Sequence, residues 1–198
     1  MKIDLTDIYK GLKAWRHERG ITAESQKDGY IVNVMEELGE LATALREYER
    51  FSQPSYPYPK NKKYAEHGII DALCDIAVFT INAGTDVNCN EKIESINTTT
   101  QTTRCNSSLS FLLSECGNFD YYGKLNSYVC FNQILLSCAK ICEIYGFNFE
   151  IAMLETIKEI SSRTGAYDNA SKKWIKDESN EARAKWYQAN YELARIEK

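Results

Sequence analysis

Proline is nearly missing from this 198-residue chain: Pro54, Pro57 and Pro59 are the only three, and all fall in one short stretch. Proline breaks helix interiors, so long helices are permitted on both sides of that stretch. Histidine is equally scarce. Neither His17 nor His67 has a Glu three residues upstream, which excludes the paired Glu-x-x-His motifs of a ferritin-like di-iron bundle. The seven cysteines include no Cys-x-x-Cys, so a zinc site of Cys and His lacks its spacing. The glycine fingerprints of dinucleotide and phosphate loops are missing too. No apolar run approaches the ~18 residues of a membrane span. Lys plus Arg number 24 against 28 Asp plus Glu, a formal charge of −4, so the broad basic footprint of a duplex nucleic-acid or anionic-membrane binder is lacking. The odd cysteine count and an N-terminus without an apolar signal core read as a reduced, cytoplasmic protein.

What is present is ordinary for a globular protein: 43 % hydrophobic and 26 % charged residues in a length that suits one domain over 1–198. Apolar residues recur with helical period. The pattern predicts helices over about Leu5–Arg19, Asp28–Arg50 and Tyr64–Ala83, a short one at Ser107–Cys116, and two more at Leu125–Tyr145 and Phe149–Ser162. Residues 84–126 read as a loop or insertion carrying that short helix, and 166–198 as a polar tail with interspersed aromatics. No strand alternation exceeds a few residues. The expected fold is an all-α helical bundle.

With so little histidine and no ordered thiol motif, any chemistry rests on carboxylates, amides and bases. At about 100° per residue, the second helix gathers Ile31, Val34, Met35, Leu38, Leu41, Ala42 and Leu45 on one broad face. Glu36, Glu40 and Glu47 project nearly opposite, and Glu37 lies against the edge of the apolar face. Glu37 and Glu40 are i,i+3 neighbours. The third helix is apolar nearly all round except for a strip holding Asp71, Asp75 and Asn82, while Glu66 projects elsewhere. Two carboxylates one turn apart on a buried helix repel unless a cation separates them. A Lys or Arg can fill that role, and so can a hard divalent ion, which takes carboxylate and phosphate oxygens.

Glu36-Glu37-Leu38-Gly39-Glu40-Leu41 followed by Asp71-Ala72-Leu73-Cys74-Asp75-Ile76 resembles the MazG-like all-α nucleoside triphosphate pyrophosphatases of phage and bacterial type. Trp15-Arg16-His17-Glu18-Arg19-Gly20 upstream, and Ser162-Arg163-Thr164-Gly165, Lys172-Lys173-Trp174-Ile175-Lys176 and Lys185-Trp186-Tyr187 downstream, are similar to the flanks of the same proteins. The resemblance implies a bundle built around two antiparallel acidic-motif helices and a homodimer or higher homo-oligomer. It also implies hydrolysis of a nucleoside triphosphate to monophosphate and pyrophosphate with Mg²⁺, or Mn²⁺ in its place. Glu37, Glu40, Asp71 and Asp75 would hold the metal and form the catalytic set. Asn82, Arg163, Lys172, Lys173 and Trp174 would bind substrate, the cations pairing with phosphates and the indole stacking on a base. Two departures stand out: Ala72 replaces the Glu usual three residues before Asp75, with Asp71 one place earlier, and Asn33 stands where many relatives have Lys.

Two further classes of function fit the same residues. One is a catalytically silent nucleotide-binding protein. The other is a structural helical protein whose acidic strip is filled by a basic residue of a partner.

Overall fold

A computed structural model describes residues 2–56, 59–84, 92–94, 105–122, 127–168, 170 and 173–197. The chain runs β1 (Lys2–Asp4), α1 (Thr6–Arg19), α2 (Ala23–Phe51), α3 (Pro59–Ala83), β2 (Lys92–Glu94), α4 (Cys105–Tyr122), α5 (Ser127–Ile144), α6 (Phe149–Ser162), β3 (Gly165–Asp168), β4 (Lys173–Lys176) and α7 (Asn180–Arg183), and closes on a 3-10 turn at Tyr191–Ala194. The protein is mostly helical, as expected.

Local chemistry places the helix ends. Thr22 caps α2, its hydroxyl accepting from Ser25 N at 3.2 Å. The proline-rich break separates α2 from α3, and Pro59 occupies the first position of α3, where the missing N–H costs nothing. Gly20 and Gly146 take left-handed φ values of 63° and 83°, which stop α1 and α5. Asn148 caps α6 through Ile151 N at 3.0 Å.

α3 is the centre of the molecule, packed against α1, α2, α5 and α6. Its Ile69, Ile70, Leu73, Cys74, Ile76 and Ala77 are buried, so the helix is covered nearly all round. Contacts with α2 run in opposite senses along the two helices: Tyr30 lies 3.5 Å from Thr80 at one end, and Gly68 faces Ala44 toward the other. One hydrophobic cluster runs from Ile3 to Ala194. No helix among the described residues is long and apolar enough to cross a membrane. Cys74, Cys116, Cys130, Cys138 and Cys142 are free and buried, filling space as small hydrophobes.

One expectation needs correction and three gain detail. Short strands do exist: β1 pairs antiparallel with β2, and β3 with β4. The 84–126 stretch is not simply a loop, since α4 contributes Leu112, Cys116 and Phe119 to the core. The polar tail after 165 buries Ala182, Tyr191 and Ala194. Met35 and Ala42 leave the core face of α2, with Met35 65 % exposed. The monomer covers only part of the apolar sector, through Tyr30, Val34, Leu41 and Ala44.

Candidate acidic crevice between α2 and α3

The opposite sense of α2 and α3 brings the two acidic motifs together. Glu37 and Glu40 of α2 meet the field of Asp71 and Asp75 of α3. Burial is the first cause that pushes the Glu37 carboxyl up, to about 7, and Glu40, Asp71 and Glu36 push it further. Lys176, carried over by β4, works the other way. Asp71 is raised by burial and by Glu159 and Glu40, against a hydrogen bond from Tyr191 and the charge of Arg163. Asp75 stands well above the usual carboxylate range through burial, then Asp71 and Glu37. It keeps part of its surface open and has no hydrogen-bond partner among the described residues.

A cleft of about 700 Å³ opens beside the acidic cluster, lined by Glu40 and Asp71 but not by Glu37 or Asp75. Its walls include Glu36, Glu40 and Glu47 from α2, Asp71 from α3 and Glu159 from α6, so it is strongly acidic. Tyr191 closes one side: its hydroxyl donates to Asp71 Oδ1 at 2.6 Å and lies 3.0 Å from the Thr156 hydroxyl. α6 holds the segment that carries Tyr191. Glu155 accepts from Tyr187 Oη at 2.5 Å and Asn190 N at 3.1 Å, and Glu159 accepts from Ala189 N at 2.8 Å. Glu192 receives His67 at 2.7 Å and Arg195 at 2.9 Å, and its carboxyl is pulled down to about 2, chiefly by the His67 bond. Arg195 also reaches Glu66 at 2.9 Å, which accounts for that off-strip acid.

The other predicted residues take the following places. Asn82 is fully buried and its Oδ1 accepts from Arg16. Arg163 follows the last turn of α6 and pairs with Glu159 at 2.8 Å, its charge reaching Asp71 and Asp75. Its Nε is buried without a partner. Trp174 was expected to stack on a base; instead its ring faces the Arg19 guanidinium at 5.2 Å, and Trp15 covers the other cation–π contact at 5.5 Å. The cause is Gly165, where an added Cβ would lie 2.2 Å from Ile175 O and 2.9 Å from the Trp174 ring, so glycine lets the β3–β4 hairpin close with its indole inward. Lys173 stands opposite Asp168 in that hairpin, and Lys172 lies outside the described residues.

Sequence reasoning missed Tyr191, Glu155 and Glu159. The two glutamates carried a readable signal, since acids at i and i+4 inside the apolar pattern of α6 demand partners. Tyr191 carried none, because its contact with Asp71 spans 120 residues.

Hard carboxylate oxygens in a half-buried crevice suit Mg²⁺ or Mn²⁺. No three His, Cys, Asp or Glu side chains are gathered to hold an ion as they lie, among the described residues. Comparison with family models, with curated proteins and with solved structures returns no match in any of the three.

Proposed function

We propose that this crevice is the active site of a divalent-cation-dependent nucleoside triphosphate pyrophosphohydrolase. The observation that carries the reading is the charge arrangement: Glu37, Asp71 and Asp75 all have raised carboxyl pKa values, and no Lys or Arg pairs with them or with Glu40 among the described residues. A protein gains nothing in stability from mutually repelling half-buried acids. Their retention is explained by a cationic ligand, and Mg²⁺ or Mn²⁺ would supply charge neutralisation for a bound triphosphate. Glu37, Glu40, Asp71 and Asp75 would be the residues that hold the ion in this reading.

The chain's own residues divide the remaining work. Tyr191 fixes the orientation of Asp71. One of the carboxylates of the set, Glu37 or Glu40, would orient the attacking water and accept its proton. Water is consumed at the anhydride between the α and β phosphates, and the two products are a nucleoside monophosphate and pyrophosphate. Arg163 can leave Glu159 for a phosphate, its free Nε adding a donor.

The test is pyrophosphate release from a panel of ribo- and deoxynucleoside triphosphates with Mg²⁺. Glu37→Gln is expected to lower turnover about 100-fold or more, as loss of a general base does. Glu36→Gln, on an exposed carboxylate, is expected to stay within about threefold. Asp71→Asn is expected to lose turnover strongly while folding normally. Equal losses at Glu36 and Glu37, or no pyrophosphate from any nucleotide, would overturn the proposal.

One observation favours a second reading. The Tyr191 hydroxyl already occupies Asp71 Oδ1, as suits a crevice that binds Mg²⁺–nucleotide without cleaving it. That version retains nucleotide in equilibrium dialysis with Mg²⁺ and yields no pyrophosphate.

A further inference from the structure

Arg19, Arg163 and Arg195 are each at least partly buried, and each is paired with a carboxylate: Glu18, Glu159, and Glu66 with Glu192. Arg16 of α1 is partly buried too, yet no carboxylate partners it among the described residues. Its Nη1 donates to Oδ1 of the fully buried Asn82 on α3. Burial lowers the Arg16 pKa, and no neighbouring charge offsets that cost. A guanidinium carries five N–H donors, of which Asn82 takes one. The Nε–Nη2 edge keeps two parallel donors with no acceptor among the described residues. Desolvating such a group is unfavourable unless a ligand supplies the acceptors.

Position argues against a phosphate as that ligand. Asn82 lies seven residues beyond Asp75 and within about 20° of both Asp71 and Asp75 around α3, so it stands about 10 Å farther along the same strip. A triphosphate belongs with the metal at the acids, where Arg163 and Lys176 are the cations whose fields act. Its sugar and base then extend along the strip toward Arg16. The opposite direction is closed by Tyr191, beside a cleft walled by Glu36, Glu40, Glu47 and Glu159.

We propose that Arg16 reads the nucleobase, its Nε–H and Nη2–H donating to two adjacent acceptors, and that the preferred substrates are guanine or cytosine nucleotides. The inference rests on the nucleotide reading above and names the substrate class of the same site. Guanine offers O6 and N7 side by side, and cytosine offers N3 and O2. Adenine sets N1 and N7 beside its amino group, and uracil or thymine sets O2 and O4 beside N3–H, so neither presents such a pair.

Pyrophosphate release and equilibrium dialysis, each with Mg²⁺ and the four ribonucleoside triphosphates, test it. Wild type is expected to show kcat/KM for GTP or CTP about 10- to 100-fold above that for ATP and UTP, the range of a bidentate arginine contact. Arg16→Gln keeps an amide donor for Asn82 but loses the charged fork, and is expected to bring those ratios within about threefold of one. Arg16→Lys keeps the charge without the planar fork and is expected to lower the ratios at least about fivefold. An arginine with a purely structural role would lower Tm, or turnover on all four nucleotides alike, and leave the ratios standing; that result overturns the base reading. Equal wild-type turnover of the four, or a preference for ATP or UTP, overturns it as well while leaving the pyrophosphohydrolase intact. If no nucleotide yields pyrophosphate, hydrolysis itself fails and dialysis decides: selective retention of GTP or CTP supports Arg16, and equal or absent retention overturns it.

Discussion

Arg19→Ala is expected to cost about 4 kcal/mol of folding stability, a large share of what a domain possesses. Arg19 is 6 % exposed, and its Nη2 donates to the carbonyls of Ile160, Ser161 and Arg163 at 3.2, 3.0 and 2.9 Å. Those carbonyls end α6, where the helix leaves its acceptors unpaired and its dipole favours a cation. A hydrogen bond from a charged donor contributes roughly 1.5–3 kcal/mol, and each of the two indole contacts adds about 0.5–1 kcal/mol. Truncation removes these together and takes the charged donor from the Ser161 and Arg163 carbonyls, while Ile160 O keeps the Trp15 indole N–H at 3.2 Å. Arg19→Lys keeps the charge but not the planar fork, so roughly half the loss is expected. Urea denaturation followed by tryptophan fluorescence measures both. A loss below about 1 kcal/mol for alanine would show that the helix end is held by something else.

This arrangement shows where the sequence was legible. Trp174 is legible as a candidate, and Trp15 and Arg19 as part of a flank that resembles the MazG-like proteins, but the sandwich they form joins α1 to a hairpin about 150 residues away. The hairpin itself escaped detection because its strands hold four residues each, too few for alternation to register. β1 and β2, three residues each and far apart in sequence, escaped for the same reason. Long helices were readable because their signals repeat over many turns. α6 is the clearest instance: Asn148 supplies its cap, apolar residues recur through it, and its bounds fall at Phe149 and Ser162 as the periodicity predicts.

Within the crevice, projection along single helices separates Glu37 at the rim of the core from exposed Glu36, and puts Asp71 and Asp75 on one strip. It cannot see what folds over the strip. Tyr191 and Ala194 are the buried residues of a single 3-10 turn, which offers no period to read. Projection also overstated the core face of α2. A wide apolar sector fits both a helix with one deep core contact and a helix that serves two partners. Met35 and Ala42 are exposed at one flank of that sector, while Tyr30, Val34, Leu41 and Ala44 are buried at the other.

The same crevice makes the apo protein more stable in mild acid than in mild alkali. A carboxyl group whose pKa is higher in the folded chain holds its proton more tightly there, so it favours folding at low pH. That advantage drains as pH rises from the unfolded value toward the folded one. For Glu37 the window runs from the usual glutamate range, near 4.5, up to about 7. Solvent reaches this half-buried group and screens it, so the stability it contributes is less than the full shift implies. Asp71 and Asp75 add in the same direction. Glu192 runs oppositely, but its carboxyl at about 2 leaves its contribution constant above about pH 5. Thermal unfolding without divalent metal is therefore expected to show a lower Tm at pH 8 than at pH 5.5. Asp75→Asn removes one charge from the acidic cluster while keeping its shape, so this variant is expected to gain stability at pH 8 and to flatten the slope. Mg²⁺ offers wild type the same relief from outside. At about a hundredfold excess over its dissociation constant it should add about 2.7 kcal/mol, roughly 5–10 °C in Tm at pH 8. Asp75→Asn should respond to Mg²⁺ by no more than about 1–2 °C, because the charge that draws the ion is gone. A variant that responds like wild type would remove Asp75 from the metal site. A wild-type Tm that rises from pH 5.5 to pH 8 without metal would show that the four carboxylates do not share one crevice.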